Sequence, residues 1–149
     1  MQFTLKTFDE LGVDTLYAIL KLRVDVFVVE QNCPYAELDG HDIKALHLYV
    51  QDKSKIIAYA RILPKGITYD TPAIGRVIVS REYRGDGIAR LLMNKAIDVI
   101  YRDWHDNTVS IGAQVYLQYF YQSLGFRAIS DEYIEDGIPH VDMQLIISP

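Results

Sequence analysis

The chain has 149 residues, 50% of them hydrophobic and 23% charged, with a net charge of −5; that length and balance belong to one globular domain, residues 1–149, with its own core. Lys and Arg form no run, which excludes a nucleic-acid surface, no apolar run reaches the ~18–20 residues of a membrane span, and the opening residues lack the charged-then-apolar order of a signal peptide. A lone cysteine, Cys33, has no partner for an internal disulfide, which fits a cytoplasmic setting, and four scattered histidines show no metal-ligand spacing, so no metal is expected.

Residues Gln2–Phe8 alternate Phe3, Leu5 and Thr7 against Thr4, Lys6 and Phe8, predicting a short first strand. Across 9–31, Leu16, Ile19, Leu20, Arg23, Val24 and Phe27 recur at helical spacing, so a helix with one buried face is expected. Arg23 on that face either carries its charge to the edge on a flexible stem, the ordinary outcome, or pairs with an acid such as Asp25, Glu30 or one from the following loop. Asn32–Lys44 contains Pro34 and Gly40 without periodicity and reads as a loop. Its Glu37, Asp39, His41 and Asp42 are expected to be solvated rather than metal-binding, though the loop can form one wall of a pocket. Ala45–Gln51 and Lys55–Leu63 stand at hairpin spacing across Asp52-Lys53-Ser54, and Pro64–Pro72 is a loop.

The stretch Ala73–Met93 combines an apolar strand, a polar turn and a helix opening on glycines. Inside the turn lies Arg84-Gly85-Asp86-Gly87-Ile88-Ala89. Such a loop aims unpaired backbone N–H groups and the positive end of a helix dipole at one point, a site for phosphate or pyrophosphate. Two glycines at a strand–turn–helix junction also serve packing alone, so the pattern needs support from elsewhere. The helix after them has an apolar face of Ile88, Leu91, Leu92, Ala96, Val99 and Ile100. Thr108–Ala113 is a further strand, and Val115–Leu124 a helix with Leu117, Phe120 and Leu124 inward, closed by Gly125-Phe126. Phe126–Ser130 and Val141–Ile147 are the last strands, joined by an acidic loop over 131–140. The order predicts an α/β (α+β) fold, a mixed, mostly antiparallel sheet flanked by helices.

Arg84-x-x-Gly87-x-Ala89 after an apolar strand, followed by strand, helix and Phe120-Tyr121-x-x-x-Gly125-Phe126, resembles the GNAT superfamily of N-acetyltransferases. Phe27–Tyr35, Ala58–Leu63, Ile74–Ser80, Gly112–Gln114 and Glu135–His140 resemble its ElaA-like branch, so the likeness spans nearly the whole chain. The resemblance implies the acyl-CoA N-acyltransferase fold, with acetyl-CoA as cosubstrate. It implies a pyrophosphate on the backbone amides of Arg84, Gly85, Asp86, Gly87, Ile88 and Ala89, and a pantetheine arm along the main chain of Val77, Ile78 and Val79, where the strand bulges and leaves its neighbour. It adds Gln114 to the cofactor contacts and makes Tyr121 the proton donor to the departing thiolate; the alternative is a core-edge tyrosine with its hydroxyl in water.

Acetyl transfer to an amine also needs a base and a donor to the developing oxyanion. The donor is expected from backbone N–H groups of Val77–Val79. Some members carry a glutamate near the start of the central strand; here Ala73–Val79 holds Arg76 and no acid. His140 is the candidate base, with Asp39, His41 and Glu30 behind it, and a lone histidine before a strand is otherwise structural. Cys33 reads as a buried or loop thiol. The expected function is an acetyl-CoA-dependent N-acetyltransferase acting on a primary amine of a small molecule or peptide. The alternative is a catalytically weak acyl-CoA-binding module or sensor. A homodimer is common in the family and leaves no signature in this chain. A dinucleotide-binding fold fits poorly, because the glycine turn comes after several strands and no Gly-x-Gly-x-x-Gly occurs.

Overall fold

The computed structural model describes residues 1–148. Its strands are β1 (Gln2–Thr7), β2 (Leu46–Asp52), β3 (Lys55–Leu63), β4 (Ala73–Val79), β5 (Thr108–Gln114), β6 (Arg127–Ala128), β7 (Tyr133–Glu135) and β8 (Ile138–Ile146). The helices are α1 (Val13–Arg23), α2 (Ile88–Arg102) and α3 (Gln118–Ser123). The strands form one sheet in the order β1-β2-β3-β4-β5-β8-β6, with β7 paired to β8. Every pairing is antiparallel except β4 with β5.

Helices cover the two faces of the sheet, which explains the near-continuous apolar run of β3. Leu92, Met93, Ala96 and Ile100 of α2 are wholly enclosed against Leu48, Ala60, Ile62, Ile111 and Met143. At about 1.5–3 kcal/mol for each large side chain removed from water, that stripe anchors the helix. Leu91, expected on the same face, is 50% exposed, while Met93 takes the inward position. On the opposite face α1 packs Ile19 onto Tyr49, Tyr59 and Ile78.

Three expectations are corrected. The helix across 9–31 is two pieces, because after Arg23 the backbone opens into a π-helical turn over Val24–Glu30. There Gln31 N–H reaches the Val26 carbonyl and Cys33 N–H the Val28 carbonyl, each five residues back. Val24, Val26, Val28 and Val29 crowd χ1 against the preceding turn and disfavour a tight α-helix. The acidic loop over 131–140 is a hairpin, in which β7 pairs with the start of β8 around Asp136-Gly137, both at positive φ (51° and 76°). The strand expected over Phe126–Ser130 contracts to Arg127–Ala128. The end of α3 matches its signal: Gly125 at φ 101° gives its N–H to the Gln122 carbonyl and Phe126 N–H returns to the Tyr121 carbonyl, a Schellman closure.

Candidate active site

The parallel pair β4–β5 is joined at one register position, Ala73 with Ser110, and the strands then diverge. β4 also carries a bulge. Tyr59 faces Ile78 and Arg61 faces Gly75, so two residues of β4, Arg76 and Val77, oppose Ala60 alone. Arg76 absorbs the extra residue at φ 51°. The expected bulge and divergence are therefore present, and between the strands opens a cleft of about 1320 Å³. Ladder alternation sets its lining. Ser80 N–H bonds the Ile57 carbonyl, so Ile78 points its main chain at β3 while Val79 turns its N–H and C=O into the gap. All three residues expected along the cofactor arm, Val77, Ile78 and Val79, line the cleft, and of the regular pair Val79 rather than Ile78 turns its main chain into it.

Beyond β4 the glycine turn leads into α2. Gly85 and Gly87 lie at φ 93° and 80°, which a Cβ would strain, and a Cβ at either would meet nothing within 4 Å. The first intrahelical bond runs from Leu91 N–H to the Gly87 carbonyl. No side chain caps this end and no acid occupies the first turn. Among the described residues the N–H groups of Ile88, Ala89 and Arg90 thus lack partners at the positive end of a helix, as an anion site requires. Gly85, Gly87, Ile88 and Ala89 line the cleft, whereas Asp86 is exposed outside it. Arg84 also lines it, but its guanidinium is occupied: Nε donates to the Val79 carbonyl at 2.8 Å, and the two terminal nitrogens grip Glu30 at 2.8 and 3.0 Å.

Tyr121 is buried at 7% exposure, its ring edge-on to Phe120 and Phe126, so the expected core-edge position is corrected to a buried one. Burial, with a smaller effect from Tyr116, pushes its phenol up to about 12. It lines the cleft, and among the described residues its hydroxyl has no hydrogen-bond partner. His140 lies opposite Gln114 in the β5–β8 register and also lines the cleft. Its Nδ1 is 2.7 Å from the Ile138 carbonyl, which only accepts, so Nδ1 carries the proton and Nε2 keeps its lone pair. Glu135 stands 3.7 Å from that Nε2, and the ring stacks on Tyr133. Gln114 bonds Gln31 at 3.3 Å, and the Cys33 thiol donates to the Asp136 carbonyl at 3.2 Å. Both contacts carry the segment after the π-helical turn across the cleft.

The loop acids are not solvated, and Arg23 does not reach the surface. Arg23 is fully buried, with Nε 2.7 Å from Glu37 Oε2 and a terminal nitrogen 2.7 Å from Asp42. Arg76 shares the same Glu37 oxygen at 2.7 Å and reaches Asp39 at 3.3 Å. Arg61 holds Asp39 at 2.8 Å and Asp42 at 3.1 Å. Burial raises the Asp39 carboxyl, but Arg61, the His41 N–H and Arg76 outweigh it and hold the group well below the usual carboxylate range. The hydrogen bond and charge of Arg84 likewise lower Glu30. Neither acid is basic enough to draw a proton from an amine; of the candidates, His140 and His41 both line the cleft, and His140 is the one whose ring is fixed with a free Nε2 lone pair.

The sequence reading passed over a cluster on the β5–β8 face. Gly112 opposes Asp142, and Tyr69 and Tyr133 both donate hydroxyls to Asp142 Oδ1, at 2.8 and 2.6 Å. A Cβ at Gly112 would stand 3.1 Å from the Tyr69 hydroxyl, so glycine makes room for the convergence. The alternation Ser110, Gly112, Gln114 against Val109, Ile111, Ala113 was the available signal. Among the described residues no group of three or more His, Cys, Asp or Glu is placed to hold a metal ion, and no helix is long and apolar enough to cross a membrane.

The family model for the acetyltransferase (GNAT) domain matches residues 7–147. Protein ElaA of Escherichia coli K12 is 46% identical over 136 residues, covering 90% of this chain and 89% of that one. The crystal structure of E. coli ElaA superposes with a TM-score of 0.91 at 43% identity, covering 97% and 99% of the two chains. An acyl-CoA N-acyltransferase from Pseudomonas aeruginosa superposes equally well, with a TM-score of 0.91, 39% identity and the same coverage.

Proposed function

The chain belongs to the GNAT acetyltransferase family, and we propose that it is an acetyl-CoA-dependent N-acetyltransferase that acetylates a primary amine of a small molecule or peptide by direct attack on the thioester. The observation that carries this reading is the divergence of β4 from β5 after Ala73–Ser110, which leaves Val79 main chain facing a cleft that ends at the uncapped N-terminus of α2. An extended amide chain pairs there like an added strand, and its pyrophosphate meets the free N–H groups of Ile88, Ala89 and Arg90.

The chemistry follows from groups in the same cleft. An alkylammonium with pKa of about 10.4 must lose a proton before it attacks. His140 Nε2, whose lone pair is left free by the Nδ1 bond to the Ile138 carbonyl, accepts it. The Val79 N–H, free of β3, faces the developing oxyanion. Tyr121, kept protonated by burial, donates to the departing thiolate. The fold pocket is thus equipped for donor, base and acid without a residue on the first half of β4, where Arg76 stands.

Calorimetric titration with acetyl-CoA, paired with a free-thiol release assay across an amine panel, tests the reading. The expected result is micromolar-class binding and amine-dependent release of CoA. Binding with no release for any amine would refute it and make the chain an acyl-CoA-binding module.

A further inference from the structure

The acids lining the cleft differ in what already neutralises them. Glu30 is gripped by Arg84, and Asp39 by Arg61 and Arg76. Glu135 and Asp136 are exposed to solvent. Asp142 is half-buried and, among the described residues, has no cation within ion-pair distance. Its Oδ1 receives the Tyr69 and Tyr133 hydroxyls, while Oδ2 has no partner and is not sealed from the cleft. Two neutral donors fix the carboxylate's orientation without cancelling its charge. A half-buried, preoriented and uncompensated carboxylate attracts a cation more strongly than a solvated one does.

Register fixes where that charge stands relative to the chemistry. Asp142 opposes Gly112, two residues past the Ala73–Ser110 junction, and His140 opposes Gln114, two residues further toward the mouth. Alternate residues share a face, so both side chains project from the same side of the sheet about 7 Å apart, at ~3.4 Å per residue. We propose that Asp142, held by Tyr69 and Tyr133, anchors a second ammonium of the acceptor, and that the acceptor is a small alkyl diamine whose reacting nitrogen lies at His140. This rests on the acetyl-transfer reading above and names its substrate class. At an ordinary C–C length of ~1.5 Å, about four methylenes span the two positions. The loop acids Glu37, Asp39 and Asp42 take no part, because their charges are matched by Arg23, Arg61 and Arg76.

Titrating diaminobutane and butylamine into CoA-saturated protein reads the anchor whether or not turnover occurs. The diamine is expected to bind at least about tenfold tighter than the monoamine, and D142N to erase that preference, with thermal melting confirming a folded variant. A diamine length series on the wild-type protein gives the same answer without any substitution, with affinity highest near four methylenes. Equal binding of the two amines, a preference that survives D142N, or a length-independent series would overturn the proposal. Asp142-dependent binding with no thiol release would instead sink the acetyl-transfer reading and leave the anchor standing. Release that is equally efficient with both amines sinks the anchor alone.

Discussion

Arg76 sits where the fold and the cleft meet, and replacing it separates backbone strain from charge. Its side chain is 21% exposed and donates to Glu37 Oε2 at 2.7 Å, the Glu37 carbonyl at 3.1 Å and Asp39 at 3.3 Å. Removing one partner of a fully buried pair costs about 3–5 kcal/mol. Here Arg23 stays 2.7 Å from the same Glu37 oxygen and the rim is open, so Arg76→Ala is expected to cost about 2–3 kcal/mol. Alanine at φ 51° keeps the left-handed strain of about 1–2 kcal/mol, and glycine relieves it. Arg76→Gly is therefore expected to be more stable than Arg76→Ala by about 1 kcal/mol. In an ordinary strand the order is the reverse, alanine leading by about 0.5–1 kcal/mol. For a chain of this size the difference amounts to roughly 2–4 °C in melting temperature, and urea midpoints give it independently. An alanine variant equal to or more stable than the glycine variant would refute the strained-bulge account.

Three further outcomes are expected. Tyr121→Phe lowers kcat by about 10²–10⁴ while acetyl-CoA affinity, read by calorimetry, changes less than about threefold; an unchanged kcat removes Tyr121 from the mechanism. His140→Gln is expected to abolish the rise of kcat/KM with pH expected of the unsubstituted protein on its acidic side, and superimposable profiles exclude it as the base. Acid destabilises the fold in two stages. Burial, against the Asp42 carbonyl, depresses His47 below its ordinary value, and Arg61 and Arg23 hold Asp39 and Asp42 below theirs against the opposing effect of burial. The unfolded chain takes up these protons first, near pH 6.5 and then near 4, so stability is full above about pH 7 and falls below each point. Urea midpoints at pH 8, 6, 5 and 4 check the direction, and a midpoint that rises on acidification contradicts it.

What was legible in the sequence was local. The enclosed run of β3, the Asp52–Ser54 hairpin, the glycine turn with its helix and the Gly125 closure each depend on a few adjacent residues, and each stands where expected. The charge network was not legible, because its partners are remote in sequence: Arg23 meets Glu37 and Asp42 14 and 19 residues away, and Arg76 meets Glu37 at a separation of 39. Viewed alone, Glu37, Asp39 and Asp42 look solvated. Only a sheet that brings β3 and β4 beneath that loop turns them inward. Asp142 escaped for a related reason. His140, Asp142 and Gln144 alternate with Val141 and Met143 as any half-solvated strand does. That outer face becomes a cleft wall because β4 departs from β5 beside it, a tertiary event with no trace in β8.

The arginine of the glycine turn invites the simplest electrostatic reading, a cation waiting for phosphate, and the geometry argues otherwise. All three groups of donors on Arg84 are in use, two on Glu30 and one on the Val79 carbonyl, so its charge is matched before any ligand arrives. Attraction for an anion then falls to backbone N–H groups and the dipole of α2, whose first turn holds no acid. Arg84 has a mechanical role instead. It ties the end of β4 to Glu30 at the end of the π-helical turn, and the next residue, Gln31, bonds Gln114 on the far side of the cleft. Glycine turn, bulged strand and opposite wall are thus braced through residues 30 and 31. The valine-rich segment that will not form a regular α-helix is the piece that spans the gap between the diverging strands.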